Sequence, residues 1–238
     1  MSTEPEDFQA AVSLVGQYAA TLIQPGMRLG LGTGRSADAF LAALEPRLAE
    51  NLHLLAVATS KRTEERARSM GIGILDSTRE PLDLDLDGAD EIDPGMNLIK
   101  GAGGAMVREK IVAERSRRFW VLADSHKLVA RLGQRHPLPL EVLPFDWQGT
   151  FARVAGVCGG QLSLRGGENP FITDNGNYVF DLRLPAEILD PGRLVRELEE
   201  IPGVLGHGLF LGTATAAIVS DGQDVRVYGD LEAARPGL

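Results

Sequence analysis

Three kinds of group gather in one short stretch of this chain: carboxylates at Asp87, Asp90, Glu91 and Glu109, a lysine at Lys100, and a glycine loop at Gly101-Ala102-Gly103-Gly104. A carboxylate is a competent general base at neutral pH. A lysine and unpaired backbone amides can stabilise an oxygen that gains negative charge as the proton leaves. The grouping therefore suits proton transfer beside a developing oxyanion. The residues alone fit a plainer reading equally well, in which the acids cap a helix or face water and the glycines make an ordinary strand-to-helix turn.

The elements that must hold these groups can be read from pattern. Leu82 to Asp87 reads LDLDLD, an alternation of apolar and acidic residues with the two-residue period of a strand, and Asp87-Gly88 ends it. A helical pattern starts near Ala105 and places Glu109 about one turn in. Earlier, Arg28–Leu31 reads as a strand that runs into Gly32-Thr33-Gly34-Arg35-Ser36, followed by a helix from Ala37 to Leu44 that Pro46 ends. Strand, glycine turn and helix together aim backbone N–H groups at an anion. The turn lacks both the dinucleotide fingerprint and the Walker lysine, so on its own it is equally a tight βα turn.

Strands over Leu52–Ala58, Ile72–Leu75 and Phe119–Ala123 alternate with helices, one of them capped by Thr59-Ser60 and closed by Gly71. Such alternation implies a mostly parallel, Rossmann-like sheet with helices on both faces. Ligands in these sheets bind beyond the strand C-terminal ends, where Thr33 to Ser36, Asp87 to Asp90, Lys100 and Lys127 fall. Beyond Lys127 the order becomes strand, helix, strand, strand, helix, strand, ending with Val204–Phe210. This βαββαβ order is that of a smaller ferredoxin-like α+β domain. Asp174-Asn175-Gly176-Asn177 supplies a hairpin turn within it. A last hairpin at Asp221-Gly222 is expected to rejoin the first sheet. The expected domains are 1–131 with 211–238, and 132–210.

The net charge of −9 argues against nucleic acid and anionic membranes as partners. No apolar run is long enough to span a bilayer. The single cysteine, Cys158, cannot form an internal disulfide and fits a reducing, cytoplasmic setting; it reads as a small residue at a helix end. His53, His126, His136 and His207 are scattered, so no metal site and no cofactor are expected.

DGADEID, then NLIKGAGGAMVREKIVA, VLADSHKLV and LPLEVLPF resemble the type A ribose-5-phosphate isomerase family. LGTGRSADAF before these motifs, and TDNGNYVFDL and IPGVLGHGLF after them, extend the similarity from about Gln24 to about Val227. The resemblance implies an aldose–ketose isomerase that interconverts ribose 5-phosphate and ribulose 5-phosphate through a cis-enediol. It implies Glu109 as the base and Asp87 as the group that helps open the sugar ring. Asp87, Gly88, Ala89 and Asp90 would contact the sugar, with Asp90 on its hydroxyls. Lys100 with Gly101, Ala102 and Gly103 would stabilise the oxygens, and Lys127 would touch the substrate. Thr33, Gly34, Arg35 and Ser36 would hold the phosphate. Arg35 departs from the commoner pattern and either contacts the phosphate or turns outward. Ala102 replaces a common glycine, and so requires negative φ or strain. The family also implies a homo-oligomer, dimeric or tetrameric. Two other classes share features of this fold: a sugar-phosphate-sensing regulatory domain, for which no helix-turn-helix precedes the sheet, and a coenzyme A transferase, which needs a larger cofactor cleft.

Overall fold

The structure, a computed structural model, describes residues 6–49, 52–76, 80–184 and 190–235. The chain forms two compact units: Met1–Ala89 with Arg108–Lys127 and Thr213–Leu238, and Asp90–Val107 with Leu128–Gly212.

The first unit opens with α1 (Glu6–Thr21), β1 (Arg28–Leu31), α2 (Arg35–Leu48), β2 (Leu55–Ala58), α3 (Lys61–Ser69), β3 (Gly73–Ile74) and β4 (Leu84–Asp87). It continues from Arg108 in α4 (Met106–Glu114) to β7 (Phe119–Asp124), and ends in β13 (Ala216–Ser220) and β14 (Val225–Gly229). The seven strands lie in the order β14-β13-β7-β4-β1-β2-β3. All neighbours are parallel except β13 and β14, the hairpin at Asp221-Gly222.

Alternation along the central strands sorts their side chains between two layers. Leu29, Leu31, Leu84 and Leu86 join Val15, Ala19, Phe40, Leu41 and Leu44 in one core beneath α1 and α2. The opposite face belongs to α4: a Cβ on Gly30 would lie 2.5 Å from both Val112 Cγ1 and Asp85 Oδ1. Helices thus cover both faces, as the strand-helix alternation predicts. The LDLDLD pattern is real, but it does not mark a half-solvated strand. Leu84 and Leu86 face the α1–α2 core, Asp85 and Asp87 face the α4 side, and all four are buried.

Both ends of α2 differ from the sequence reading. Helix α2 begins at Arg35 rather than Ala37, so Arg35 and Ser36 form its first turn. It also continues through Pro46 to Leu48. Proline removes one N–H from the ladder; here the last turn is tied down from outside, by Arg47 donating to the carbonyls of Ala20 and Ile23. By contrast α3 keeps its expected ends, with Ser60 Oγ accepting from Thr63 N at 3.2 Å and Gly71 at φ 82°.

The second unit contains β5 (Glu91–Ile92), β6 (Leu98–Ile99), β8 (Leu138–Val142), α5 (Trp147–Cys158), β9 (Gln161–Leu164), β10 (Tyr178–Arg183), α6 (Pro191–Glu199), β11 (Val204–His207) and β12 (Leu209–Phe210). Strands β11-β8-β10-β9 form an antiparallel sheet with α5 and α6, the βαββαβ arrangement. Its core packs Leu138, Leu140, Val142, Val154, Phe180 and Leu198, with the Phe151 and Phe180 rings edge to face at 5.3 Å. Asp190 caps α6 by accepting from Arg193 N, with Pro191 at its start.

The single strand expected over Val204–Phe210 breaks at Gly208, and β12 pairs instead with β6 in a three-stranded sheet, β12-β6-β5. Glycine is required at the break: a Cβ there would lie 2.1 Å from Lys100 O. Lys100 N in turn donates to Gly208 O at 2.8 Å.

Candidate active site

Three candidate segments leave the first unit's sheet at one end, because β7, β4 and β1 are parallel neighbours. Thr33 to Ser36 follow β1, Asp87 to Ala89 close β4, and Lys127 ends the short 3-10 turn Ser125–Lys127 after β7. Asp87 is fully buried, and its Oδ1 accepts from Thr33 N at 3.1 Å and from Gly88 N at 2.7 Å. The two loops are therefore joined through one carboxylate.

Behind Asp87 the Thr33 hydroxyl lies in a polar cluster, 2.7 Å from Thr59 Oγ1 and 2.8 Å from Ser60 Oγ. Thr63 Oγ1 closes the cluster onto Gly32 O at 3.0 Å. Gly34, at φ 117°, stands at the N-cap of α2 and provides no side-chain cap. The first backbone N–H groups of that helix have no partner within it, which leaves donors for an anion. Ser36 is beside them; a Cβ on Gly88 would be 3.8 Å from Ser36 Oγ. Arg35 turns onto α1, with its guanidinium 4.1 Å from the centre of the Phe8 ring.

Glu109 lies in the first turn of α4 and is 4% exposed. The C-terminal end of α4 sits at the start of β4, where Leu82 N donates to Arg115 O at 2.9 Å. The first turn of α4 consequently faces the end of the sheet where β4 stops, on the same side as Asp85 and Asp87. Within the first unit, Glu109, Asp87, Thr33 and Ser36 thus belong to one end of one sheet.

The second unit holds Asp90, Lys100 and the glycine loop. Lys100 is 2% exposed, with its Nζ 5.6 Å from the centre of the Phe210 ring. Gly101 and Gly104 take positive φ, 106° and 76°. Ala102 does not, so the alanine carries no left-handed strain. Its N–H donates to Asp90 Oδ2 at 2.9 Å, and Gly104 N closes the turn onto Gly101 O. The N–H groups of Gly101 and Gly103 have no acceptor among the described residues.

The sequence reading names Glu91 and the turn at Asp174 to Asn177 but not the contacts they make, and it passes over Arg165. Glu91 is not a surface acid: fully buried, it accepts from Gly133 N, Arg135 N and His136 N at 2.6–2.7 Å. Asp93 accepts from Gly95 N and Asn97 N and orders the β5–β6 turn. The turn at Asp174 to Asn177 also satisfies a buried acid, since Asn175 and Asn177, with Thr173, donate to Glu141. Arg165 donates to the carbonyls of Gly101 and Ala102. Apart from the Asp93 turn, no local motif marks these contacts, since each joins segments distant in sequence.

The model of the family described as ribose 5-phosphate isomerase A (phosphoriboisomerase A) matches residues 55–224. The chain belongs to this family. The ribose-5-phosphate isomerase A of Thermomicrobium roseum is 43% identical over 231 residues, covering 95% of this chain and 94% of its own length. That of Deinococcus radiodurans is 41% identical over 216 residues, covering 90% of this chain and 95% of its own. Among solved structures, a D-ribose-5-phosphate isomerase in complex with phospho-erythronic acid superposes with a TM-score of 0.87 at 35% identity, covering 94% of this chain and 99% of that one. The Methanocaldococcus jannaschii ribose 5-phosphate isomerase A gives 0.86 at 33% identity, covering 95% and 100%. These likenesses extend over both units of this family member, and the fold is that of the family.

Proposed function

We propose that this protein interconverts ribose 5-phosphate and ribulose 5-phosphate, with Glu109 as the proton carrier between C2 and C1. The observation that carries the reading is the placement of Glu109 and Asp87, both buried, on the same face and at the same end of the first unit's sheet, in a chain of this family.

Glu109 removes the C2 hydrogen as a proton, the C–H electron pair forms the C1–C2 double bond, and the C1 carbonyl oxygen takes the charge. Glu109 then returns the proton to C1 while the O2 hydroxyl proton passes to O1, so that C2 becomes the carbonyl and O1 the hydroxyl of the ketose. A carboxylate and fixed donors suffice for both steps. Asp87, held by Thr33 N and Gly88 N, assists ring opening. Asp90 meets hydroxyl groups through the capacity left beside its bond to Ala102 N. Lys100 and the amides of Gly101 and Gly103 stabilise the oxyanion; the Ala102 amide, already given to Asp90, has the lesser part. Lys127 contacts the sugar beside Asp87.

The phosphate rests on Thr33, Gly34 and Ser36 at the uncapped start of α2. The stacking of Arg35 on Phe8 favours an indirect rather than a direct part for its charge. We read the protein as a cytoplasmic homo-oligomer of the pentose phosphate pathway; the exposed Phe145 and Ile172 support self-association. No helix among the described residues is long and apolar enough to cross a membrane.

Incubating the purified protein with ribose 5-phosphate and following ribulose 5-phosphate tests the reading. Formation of the ketose is expected, and a protein inert toward both sugars would refute it.

A further inference from the structure

We infer that Arg165 is a positioning residue for the isomerisation: through the carbonyls of Gly101 and Ala102 it fixes the direction of the Gly103 amide that receives the oxyanion. The inference rests on the proposed role of this loop in the reaction.

Arg165 follows β9, and its own backbone is anchored by donation to Val179 O at 2.8 Å. Its guanidinium faces two ways. Nε donates to Asp181 Oδ2 at 2.9 Å and the far nitrogen to Asp181 Oδ1, a two-point pair. The remaining nitrogen donates to Gly101 O at 3.1 Å and to Ala102 O at 2.9 Å. The Phe171 ring lies beneath, 5.7 Å from the guanidinium carbon, and packs on Gly104, where a Cβ would come within 2.4 Å of the ring. Only 18% of the side chain is exposed.

The consequence follows from the planarity of the peptide. In a trans peptide the C=O and N–H bonds point in opposite directions, and the chain contains no cis bond among the described residues. Holding Gly101 O therefore directs Ala102 N–H away from Arg165, where Asp90 Oδ2 receives it. Holding Ala102 O directs Gly103 N–H the same way, and that amide has no acceptor among the described residues. Gly103 has no side chain of its own to resist rotation of its peptide, and a Cβ there would meet nothing within 4 Å. Arg165 supplies the restraint, and its charge on the carbonyl strengthens the N–H as a donor. Lysine, a single-point cation, cannot grip Asp181 and both carbonyls together.

The test compares wild type, Arg165→Met and Arg165→Lys by kcat and KM for ribose 5-phosphate, and by inhibition with phospho-erythronic acid and with inorganic phosphate. Phospho-erythronic acid presents a carboxylate where the intermediate carries its charged oxygens; inorganic phosphate probes the distal site alone. The ratio of the two inhibition constants does not depend on how much enzyme is folded. For Arg165→Met we expect kcat to fall at least ~10-fold and the ratio to shift ~10-fold against phospho-erythronic acid, with inorganic phosphate within about twofold of wild type. Arg165→Lys should lie between, and it provides the same ratio if the methionine variant does not fold. A ratio unchanged from wild type in a folded variant, or both constants rising together, would overturn the inference. A wild-type protein inactive on ribose 5-phosphate would instead sink the proposed function.

Discussion

A Cβ on Gly32 would lie 2.1 Å from Cγ of Asp87. The carboxylate occupies the space a side chain at position 32 would need, and it is pinned there by the amides of Thr33 and Gly88. The glycine is required for this close approach, not for an unusual backbone angle.

Gly32→Ala should therefore push Asp87 off its two amides. Overpacking at such a buried point costs ~1–3 kcal/mol, and displacing a group we propose to meet the substrate should lower kcat/KM at least ~10-fold. Urea unfolding together with steady-state kinetics measures both effects. Wild-type behaviour in the variant would show that Asp87 can shift without consequence.

Glu91→Gln should destabilise the fold while leaving the chemistry alone. Gly133 N meets one carboxylate oxygen, and Arg135 N and His136 N meet the other. Whichever oxygen becomes an NH₂ group faces a donor it cannot accept from. The orphaned groups should cost ~1–3 kcal/mol in unfolding experiments. KM for ribose 5-phosphate should hold within about twofold, because Glu91 is spent on the backbone. A large rise in KM with unchanged stability would assign Glu91 to the substrate.

Cys158 closes α5, and burial, then the nearby Glu197 charge, raise its thiol above the ordinary value of 9.0. The folded thiol keeps its proton to higher pH than the unfolded one. Its contribution to stability is thus complete below the unfolded value and is lost as pH climbs through the folded one. Cys158→Ser should retain wild-type kcat, and the stability difference between the two proteins should change only in alkaline solution. Rapid alkylation of the native protein at neutral pH would contradict the assignment.

Much of this was legible in the chain because the fold repeats simple local rules. The period-2 pattern of LDLDLD gave strand β4, and its alternation is what sends Asp87 toward α4 while the leucines enter the core. Ser60 and Gly71 announced helix ends by short-range chemistry. Pro46 misled, because the restraint on the last turn of α2 comes from Arg47 reaching α1, which no local pattern encodes. The small three-stranded sheet was invisible for a similar reason: its strands are two residues each, and Gly208 divides a run that reads as continuous. At the site, residue types and order identified Asp87, Lys100 and Glu109 as candidates. The burial of Glu91 and the grip of Arg165 on the glycine loop depend on contacts across long stretches of chain, and only the folded structure brings them into view.

For Glu109 as the proposed base, its position on one helix implies approach from one face of the C1–C2 bond. Arabinose 5-phosphate retains the phosphate and the remaining hydroxyls but inverts C2, so its C2 hydrogen points away from the base. It should inhibit competitively and not isomerise, since misplacing the reacting atom forfeits most of the benefit of proximity. Product analysis on the epimer alone checks this; fast formation of ribulose 5-phosphate would mean that the base reaches both faces.

The central claim is that Glu109 carries the proton, and the most direct test is turnover of ribose 5-phosphate by wild type and Glu109→Gln side by side. The amide is nearly isosteric with the carboxylate but cannot accept the C2 proton. The variant should stay folded, bind inorganic phosphate as wild type does, and lose at least ~10²-fold in kcat. A folded Glu109→Gln protein that retained more than about a tenth of wild-type kcat would remove Glu109 from the proton path and contradict the account.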